Sequence, residues 1–400
     1  NISGSSGSSR NPLGLSSISS SVPFARNSSS KTPSGFHRDA FRDLVARSRK
    51  GDPTHEHFKH VARFLLDSKI DKIPAHELPA TLKVPECEMT CPFHHQAFIQ
   101  SITVTKMSQK GKGSAHLKRS HTVEIQPTRG EAKTFLFKQF DDGVLIEEGM
   151  VALIKRANHL WQNTIRNRGV LANNLGTNSP LFRCPTYLAS ACDEVEKNCG
   201  FTEYVEGEPL PEVGTDLFMD TLLHVDGAWN KFTESSTAIT VLCAAFSIED
   251  RRPKNAIWTG NGDITLVELT SALNCKLGSA DSTFRVNPAF LLAHVVKFRE
   301  LIVGDVQEKW MQNVGFLPPT VHELEQILMT GYFYLYNSDV RSDLEKCGFG
   351  MPEPYQFFTW VKEKQTFRST LKDSMRDTLV TVDRDEVFTK FIGKMKGLGK

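Results

Sequence analysis

Apolar residues recur along this chain with two periods, and the change from one to the other divides it into regions. From Phe36 to Ser68 the period is helical, with Phe41, Leu44 and Val45 on one face and Phe58, Val61 and Leu65 repeating the spacing further on. Between the two sets, Asp52-Pro53 marks a helix start, an acid at the cap followed by a residue whose missing N–H costs nothing there. From Phe98 the period becomes two. Ile99 to Val104 is one strand-like run, His121 to Gln126 a second in which Val123 and Ile125 alternate with polar residues, and Lys133 to Phe140 a third. A helical stripe then returns with Ile146, Met150, Leu153, Ala157 and Leu160, flanked by another holding Glu147, Val151, Ile154 and Trp161. Cys184 to Cys192 and Cys199 to Val205 read as two further strands, bent back around residues 193–198. Beyond them the pattern predicts helices over Asp216–Phe232, Ser236–Ser247, Pro288–Ile302, Val321–Phe333 and Pro354–Thr366. One hairpin interrupts this series: Ala256-Ile257-Trp258, the turn Gly260-Asn261-Gly262, and a return run from Ile264 to Val267.

Strands followed by helices make an α+β chain, and composition sets its limits. Residues 1–35 are Ser-rich, and no acid precedes Asp39, so this stretch has too little apolar surface to offset its ordering entropy and is expected to be a disordered tail. A helical extension follows over 36–97, then a β-rich unit over 98–202 and a helical unit over 203–400. The longest apolar run, Ala238 to Ile248, is too short to span a bilayer and contains Thr240 and Ser247; it reads as a buried helix, and no transmembrane segment is expected. A formal net charge of +2 does not call for a nucleic-acid partner. Eight cysteines in 400 residues are too sparse for a disulfide framework and favour a reducing, cytoplasmic setting. Cys87, Cys91, His94 and His95 offer atoms that zinc accepts, but no second pair lies at zinc-finger spacing, and isolated thiols and surface histidines are the plainer reading. Lys390, Lys394, Lys396 and Lys400 make the end of the chain basic, as in a solvated tail or a segment drawn to a membrane surface.

Candidate chemistry is spread along this frame. Lys138 lies in an apolar strand, on the face of Leu136, and a buried lysine needs a partner because an unpaired buried charge is costly. Glu147 on the next helix falls near its apolar face, and Glu148 points further round. Between the first two strands, Gly111 and Gly113 would let the backbone approach a ligand while Lys106, Lys110 and Lys112 supply positive charge, a composition suited to phosphates. The strand that ends at Phe201-Thr-Glu-Tyr-Val205 runs out into Glu-Gly-Glu-Pro-Leu210. Further on, Asp250 is followed five residues later by Asn255, and the hairpin closes on Glu268. Two carboxylates and an amide at one end of a hairpin are oxygen ligands of the kind Mg²⁺ accepts alongside phosphate.

Taken in order, these residues resemble the protein-kinase-like superfamily, nearest the branch of aminoglycoside phosphotransferases and choline kinases. The resemblance covers about Phe98 to Phe333. It implies a two-lobed protein-kinase-like fold with a β-rich N-lobe and a helical C-lobe. It also implies ATP and Mg²⁺ as cofactors and a nucleotide site between the lobes. Lys138 would hold the α- and β-phosphates, oriented by Glu147 or, as second choice, Glu148. Gly111 and Gly113 would belong to the phosphate-covering loop, and the main chain of Glu203, Tyr204 and Val205 would meet the adenine edge. Asn255 and Glu268 would bind Mg²⁺, and Asp250 would be the catalytic base toward a hydroxyl of a small molecule or a protein. The chain departs from the family pattern in three places: its basic loop lacks Gly-x-Gly-x-x-Gly, Ile248 stands where the catalytic loop usually has His, and Glu268 stands where the metal ligand is usually Asp. Those departures also suit a catalytically impaired pseudokinase acting as a nucleotide- or protein-binding scaffold. The Ser-rich, acid-free start fits a targeting or export signal, which would make the protein an exported effector.

Overall fold

The computed structural model describes residues 37–108, 117–140, 143–168, 182–210, 225–246, 255–269, 304–314 and 317–362, with single positions at 218, 221, 222, 248, 292, 295, 296 and 299 between them. The fold is mixed α+β. Two helices come first, α1 (Arg38–Arg49) and α2 (Thr54–Asp67), and Asp52 Oδ1 accepts from the Thr54 N–H at the start of α2. Strands β1 (Ala80–Lys83), β2 (Thr90–Cys91), β3 (His94–Ser108), β4 (Leu117–Pro127) and β5 (Lys133–Phe140) follow. Then come the long helix α3 (Gly143–Arg168) and strands β6 (Ala189–Ala191) and β7 (Cys199–Glu203). The seven strands form one antiparallel sheet in the order β1-β3-β4-β5-β7-β6, with β2 paired to β3.

Alternation along the strands sorts the two faces of this sheet. Phe135 and Phe137 of β5, Phe201 of β7, and Val123 and Ile125 of β4 are fully buried in one core with Phe58, Val61 and Leu65 of α2. Phe58 lies with its ring 4.9 Å from that of Phe201 and 5.2 Å from that of Phe135. Leu136, Lys138 and Thr202 therefore project from the opposite face, where α3 lies. Gly200, paired with Lys138, makes that approach possible. A Cβ at Gly200 would collide with the Ser190 carbonyl oxygen and stand 2.7 Å from Val144 Cγ1.

Residues Tyr204 to Gly207 cross from β7 to a second, three-stranded sheet, in which β8 (Glu208–Pro209), β9 (Ala256–Trp258) and β10 (Ile264–Leu266) stand in the order β10-β9-β8. α4 (Ala228–Ala245) packs on β10 and meets α5 (Asp305–Val314) through Trp229 and Trp310; α6 (Val321–Tyr336) packs on α4 and α3, and α7 (Asp339–Lys346) and α8 (Pro354–Lys362) pack on α6. Trp229, Phe232, Trp258, Trp310 and Tyr332 are buried in their common core, which is continuous with that beneath α1 and α3.

Several expectations need correction. The break expected between Phe232 and Ser236 does not occur, because α4 runs straight through Thr233-Glu-Ser-Ser-Thr237. The hydroxyls of Ser235, Thr237 and Thr240 donate to the carbonyls of Lys231, Thr233 and Ser236 at 2.7, 2.9 and 2.7 Å, so this polar run is buried without orphaned groups at those three positions. Only Ala189–Ala191 of the expected strand Cys184–Cys192 joins a ladder. Helices α5 and α7 are not among the expected elements, although Ser338 caps the start of α7 and Gly348 follows its end. The stretch 36–97 is not a purely helical extension: β1 and β2 pair with β3, and α2 fills the core of the sheet, so residues before 98 share that core. The tail 1–35, the basic end and most of 216–224 and 288–302 lie outside the described residues. No helix among the described residues is long and apolar enough to cross a membrane.

Candidate functional site

Lys138 leaves β5 toward α3, and its Nζ lies 2.7 Å from Glu147 Oε2. The lysine side chain keeps 14% of its surface exposed and the glutamate 1%. Two more donors reach the same carboxylate: the Tyr187 hydroxyl to Oε1 at 2.9 Å and the Thr202 hydroxyl to Oε2 at 3.2 Å. A buried carboxylate with an ammonium and two hydroxyls is well compensated, and it fixes the direction in which the ammonium points. Burial, then the neighbouring Glu147 charge, raises the Tyr187 hydroxyl well above its ordinary range, with Glu268 contributing in the same sense. Tyr187 is therefore a permanent donor.

The Asn255 carbonyl accepts from the Val267 N–H at 2.9 Å, which closes the open end of the β9–β10 hairpin and brings Asn255 and Glu268 to the same end of it. Asn255 is buried and Glu268 exposed. Glu268 has φ of 59°, a left-handed backbone that a residue with a Cβ adopts at a cost. Such strain collects where a side chain must be aimed at a particular point. Glu268 thus stands beside Asn255 at the open end of the hairpin.

The crossing strip is partly committed. Glu203 directs its carboxylate back into the protein, accepting from Lys133 Nζ at 2.5 Å and from the Leu188 N–H at 2.8 Å. Its own N–H donates to Leu188 O at 2.7 Å, and the Tyr204 N–H donates to Thr134 O at 2.8 Å. The main-chain donors of Glu203 and Tyr204 are thus spent within the sheet, against the expectation that they face a ligand. Among the described residues nothing accepts from the Val205 N–H, so of the three amides it is the one left for a ligand. At Gly207, φ is 145° and a Cβ would overlap the Trp258 carbonyl, so only glycine lets the strip lie this close to β9.

Glu148 does not face Lys138. Its two oxygens accept from Arg49 Nε and Nη2, each at 2.7 Å, and Oε2 also accepts from the Ala191 N–H at 2.7 Å. The choice between the adjacent acids therefore falls on Glu147. Sequence reasoning missed Arg49; its signal was two neighbouring acids on an apolar helix, each of which needed its own cation. Asp250, Gly111 and Gly113 lie outside the described residues. Among the described residues no group of three or more His, Cys, Asp or Glu side chains is placed to hold a metal ion. In the Cys/His cluster Cys87 is exposed while Cys91 is buried, its thiol pushed up by that burial. No family model matches this chain, and no curated protein gives a significant match to it.

Proposed function

We propose that this protein is a phosphotransferase with a two-lobed, protein-kinase-like fold, moving a phosphoryl group from ATP to a hydroxyl with the help of Mg²⁺. One observation carries the reading: a buried Lys138–Glu147 pair on the face of the β-rich sheet that α3 covers, with Tyr187 and Thr202 on the same carboxylate. On this reading residues 98–202 form the N-lobe core and 203–400 the C-lobe, joined by the strip from Glu203 to Val205.

The roles follow from charge. A triphosphate repels an incoming nucleophile, so cations must neutralise it in place. Lys138 does this for the α- and β-phosphates, and Glu147, fixed by Tyr187 and Thr202, keeps its ammonium from swinging away. Among the described residues the Val205 N–H meets no acceptor, which leaves it to meet the edge of a base. Asn255 and Glu268 supply one amide oxygen and one carboxylate, a hard-oxygen set that fits Mg²⁺ with phosphate and water completing its shell. The metal would add charge neutralisation. Asp250, five residues before Asn255 in the sequence, takes the acceptor's proton, an effect worth about 10²–10⁴-fold. The acceptor is a small molecule or a protein side chain.

A second reading, a pseudokinase serving as a scaffold, draws support from Ile248 and Glu268 in place of the family's usual His and Asp. Thermal shift with ATP, with and without Mg²⁺, separates the two. A metal-dependent rise is expected of the enzyme, and no response to either is expected of the scaffold. For the chemistry, γ-phosphate consumption by wild type is compared with that of Asp250→Ala; equal rates would remove Asp250 from the mechanism.

A further inference from the structure

We propose that α1 is a clamp on α3, and that Arg49 is the positioning residue through which it sets the Lys138–Glu147 pair. The consequence for nucleotide affinity rests on the phosphotransferase reading; the clamp itself does not.

Glu147 and Glu148 are consecutive on one helix, about 100° apart, so neither can be turned without the other. Glu147 is held by the sheet and Glu148 by α1. Arg49 uses its fork on both Glu148 oxygens at 2.7 Å and donates from Nη2 to the Ala191 carbonyl at 3.0 Å. Its Nη1 donates to His55 Nε2 at 2.9 Å, and the other ring nitrogen of His55 lies 3.0 Å from Ser190 Oγ. The side chains of Arg49, Glu148 and His55 are 21%, 9% and 8% exposed, so the network is largely closed to water. One residue beyond Glu148, Gly149 has no room for a Cβ because the Phe41 ring of α1 occupies the space. A charge lock and a steric seat thus lie side by side at the turn of α3 that carries Glu147.

The remainder of α1 is anchored to other elements as well. Arg47 pairs with Asp343 of α7 at 3.0 Å, and the same carboxylate takes Arg156 of α3. Arg42 reaches Asp193 in the β6–β7 turn at 3.3 Å, Arg38 reaches Asn198 in the same turn at 3.2 Å, and the His37 N–H donates to the Cys347 carbonyl at 3.1 Å. A helix that grips α3, the β6–β7 turn and α7 at once fixes the setting of α3 against both sheet and helices. Losing Arg49 removes the fork on Glu148 and the contact to the Ala191 carbonyl that together seat this turn of α3, and the buried carboxyl left behind either takes up a proton or moves toward water with its turn. In the clamp the second course is taken, and the same turn carries Glu147 out of reach of Lys138.

The test reads Lys138 directly. Lysine acetylation by acetic anhydride, followed by mass spectrometry, is measured on wild type, Arg49→Met, Arg49→Lys and the double variant Arg49→Met with Glu148→Leu. Lys133, paired to Glu203, and Lys59 of α2 serve as internal standards. In Arg49→Met, acetylation of Lys138 is expected to rise relative to both standards, and with it ATP affinity to fall about tenfold, within the usual range of coupling between sites. Arg49→Lys should lie between, and the double variant, which removes the stranded charge but also the clamp, should stay above wild type; a return to wild type would show that the stranded charge alone disturbs Lys138 and would overturn the clamp. Unchanged acetylation of Lys138 in Arg49→Met, or an equal rise at all three lysines, overturns the clamp. If Arg49→Met does not fold, Arg49→Lys decides on the same criterion. If wild type does not bind ATP but the acetylation pattern appears, the clamp stands and the phosphotransferase reading fails.

Discussion

Replacing Lys138 by Met strands a carboxylate. Glu147 is 1% exposed, and the substitution leaves it with only the hydroxyls of Tyr187 and Thr202. Removing one partner of a buried ion pair typically costs about 3–5 kcal/mol, much of it the penalty of the charge left behind. The 14% exposure of the lysine side chain allows some water to approach the vacated site, which places the expected loss toward the lower end of that range, about 3 kcal/mol. The double variant Lys138→Met with Glu147→Leu removes both charges. It should recover about 1 kcal/mol of that loss, because it still gives up the Tyr187 and Thr202 hydrogen bonds, worth about 1 kcal/mol each. The measurement is urea unfolding of the four proteins of the cycle, with stability taken from midpoints at constant slope. A loss below about 1 kcal/mol for Lys138→Met, typical of an exposed pair, would refute the argument that Glu147 depends on Lys138. So would a double variant less stable than the single one.

Other outcomes follow from the same geometry. Gly200→Ala should cost about 1–3 kcal/mol by overpacking, since the added methyl meets the Ser190 carbonyl and Val144, and the loss is read by the same unfolding assay. His55 is pushed down to about 4, first by burial and then by the Arg49 charge, so the folded protein refuses a proton that the unfolded chain accepts below about 6.5. Its contribution to stability is therefore complete above about pH 6.5 and declines as pH falls toward 4, by at most ~1.4 kcal/mol per pH unit. Unfolding midpoints at pH 7 and pH 5 should converge for His55→Gln relative to wild type, and an unchanged pH dependence would contradict this.

Local pattern was enough to place β3, β4, β5, most of α3, the β9–β10 hairpin and α6, because each of these elements declares itself through a short apolar period. It also put Lys138 on a strand face needing a partner and Glu147 close to the apolar side of its helix, since both inferences depend on neighbours within a turn or two. Where a position depends on residues far away in sequence, the pattern was silent or misleading. Arg49 and Glu148 are 99 residues apart, and nothing around either one shows that they meet. The hydroxyl run in α4 reads as a break until its donors find carbonyls one turn back within a buried helix. Strand β1 is too short to show a period and is held in place by its register with β3. The sequence alone thus determined the kinds of elements and the chemistry they carry. Tertiary packing decided which acid meets the lysine, and that the chain before the sheet helps to hold it there, because the burial that makes those pairings matter exists only once distant segments have closed over them.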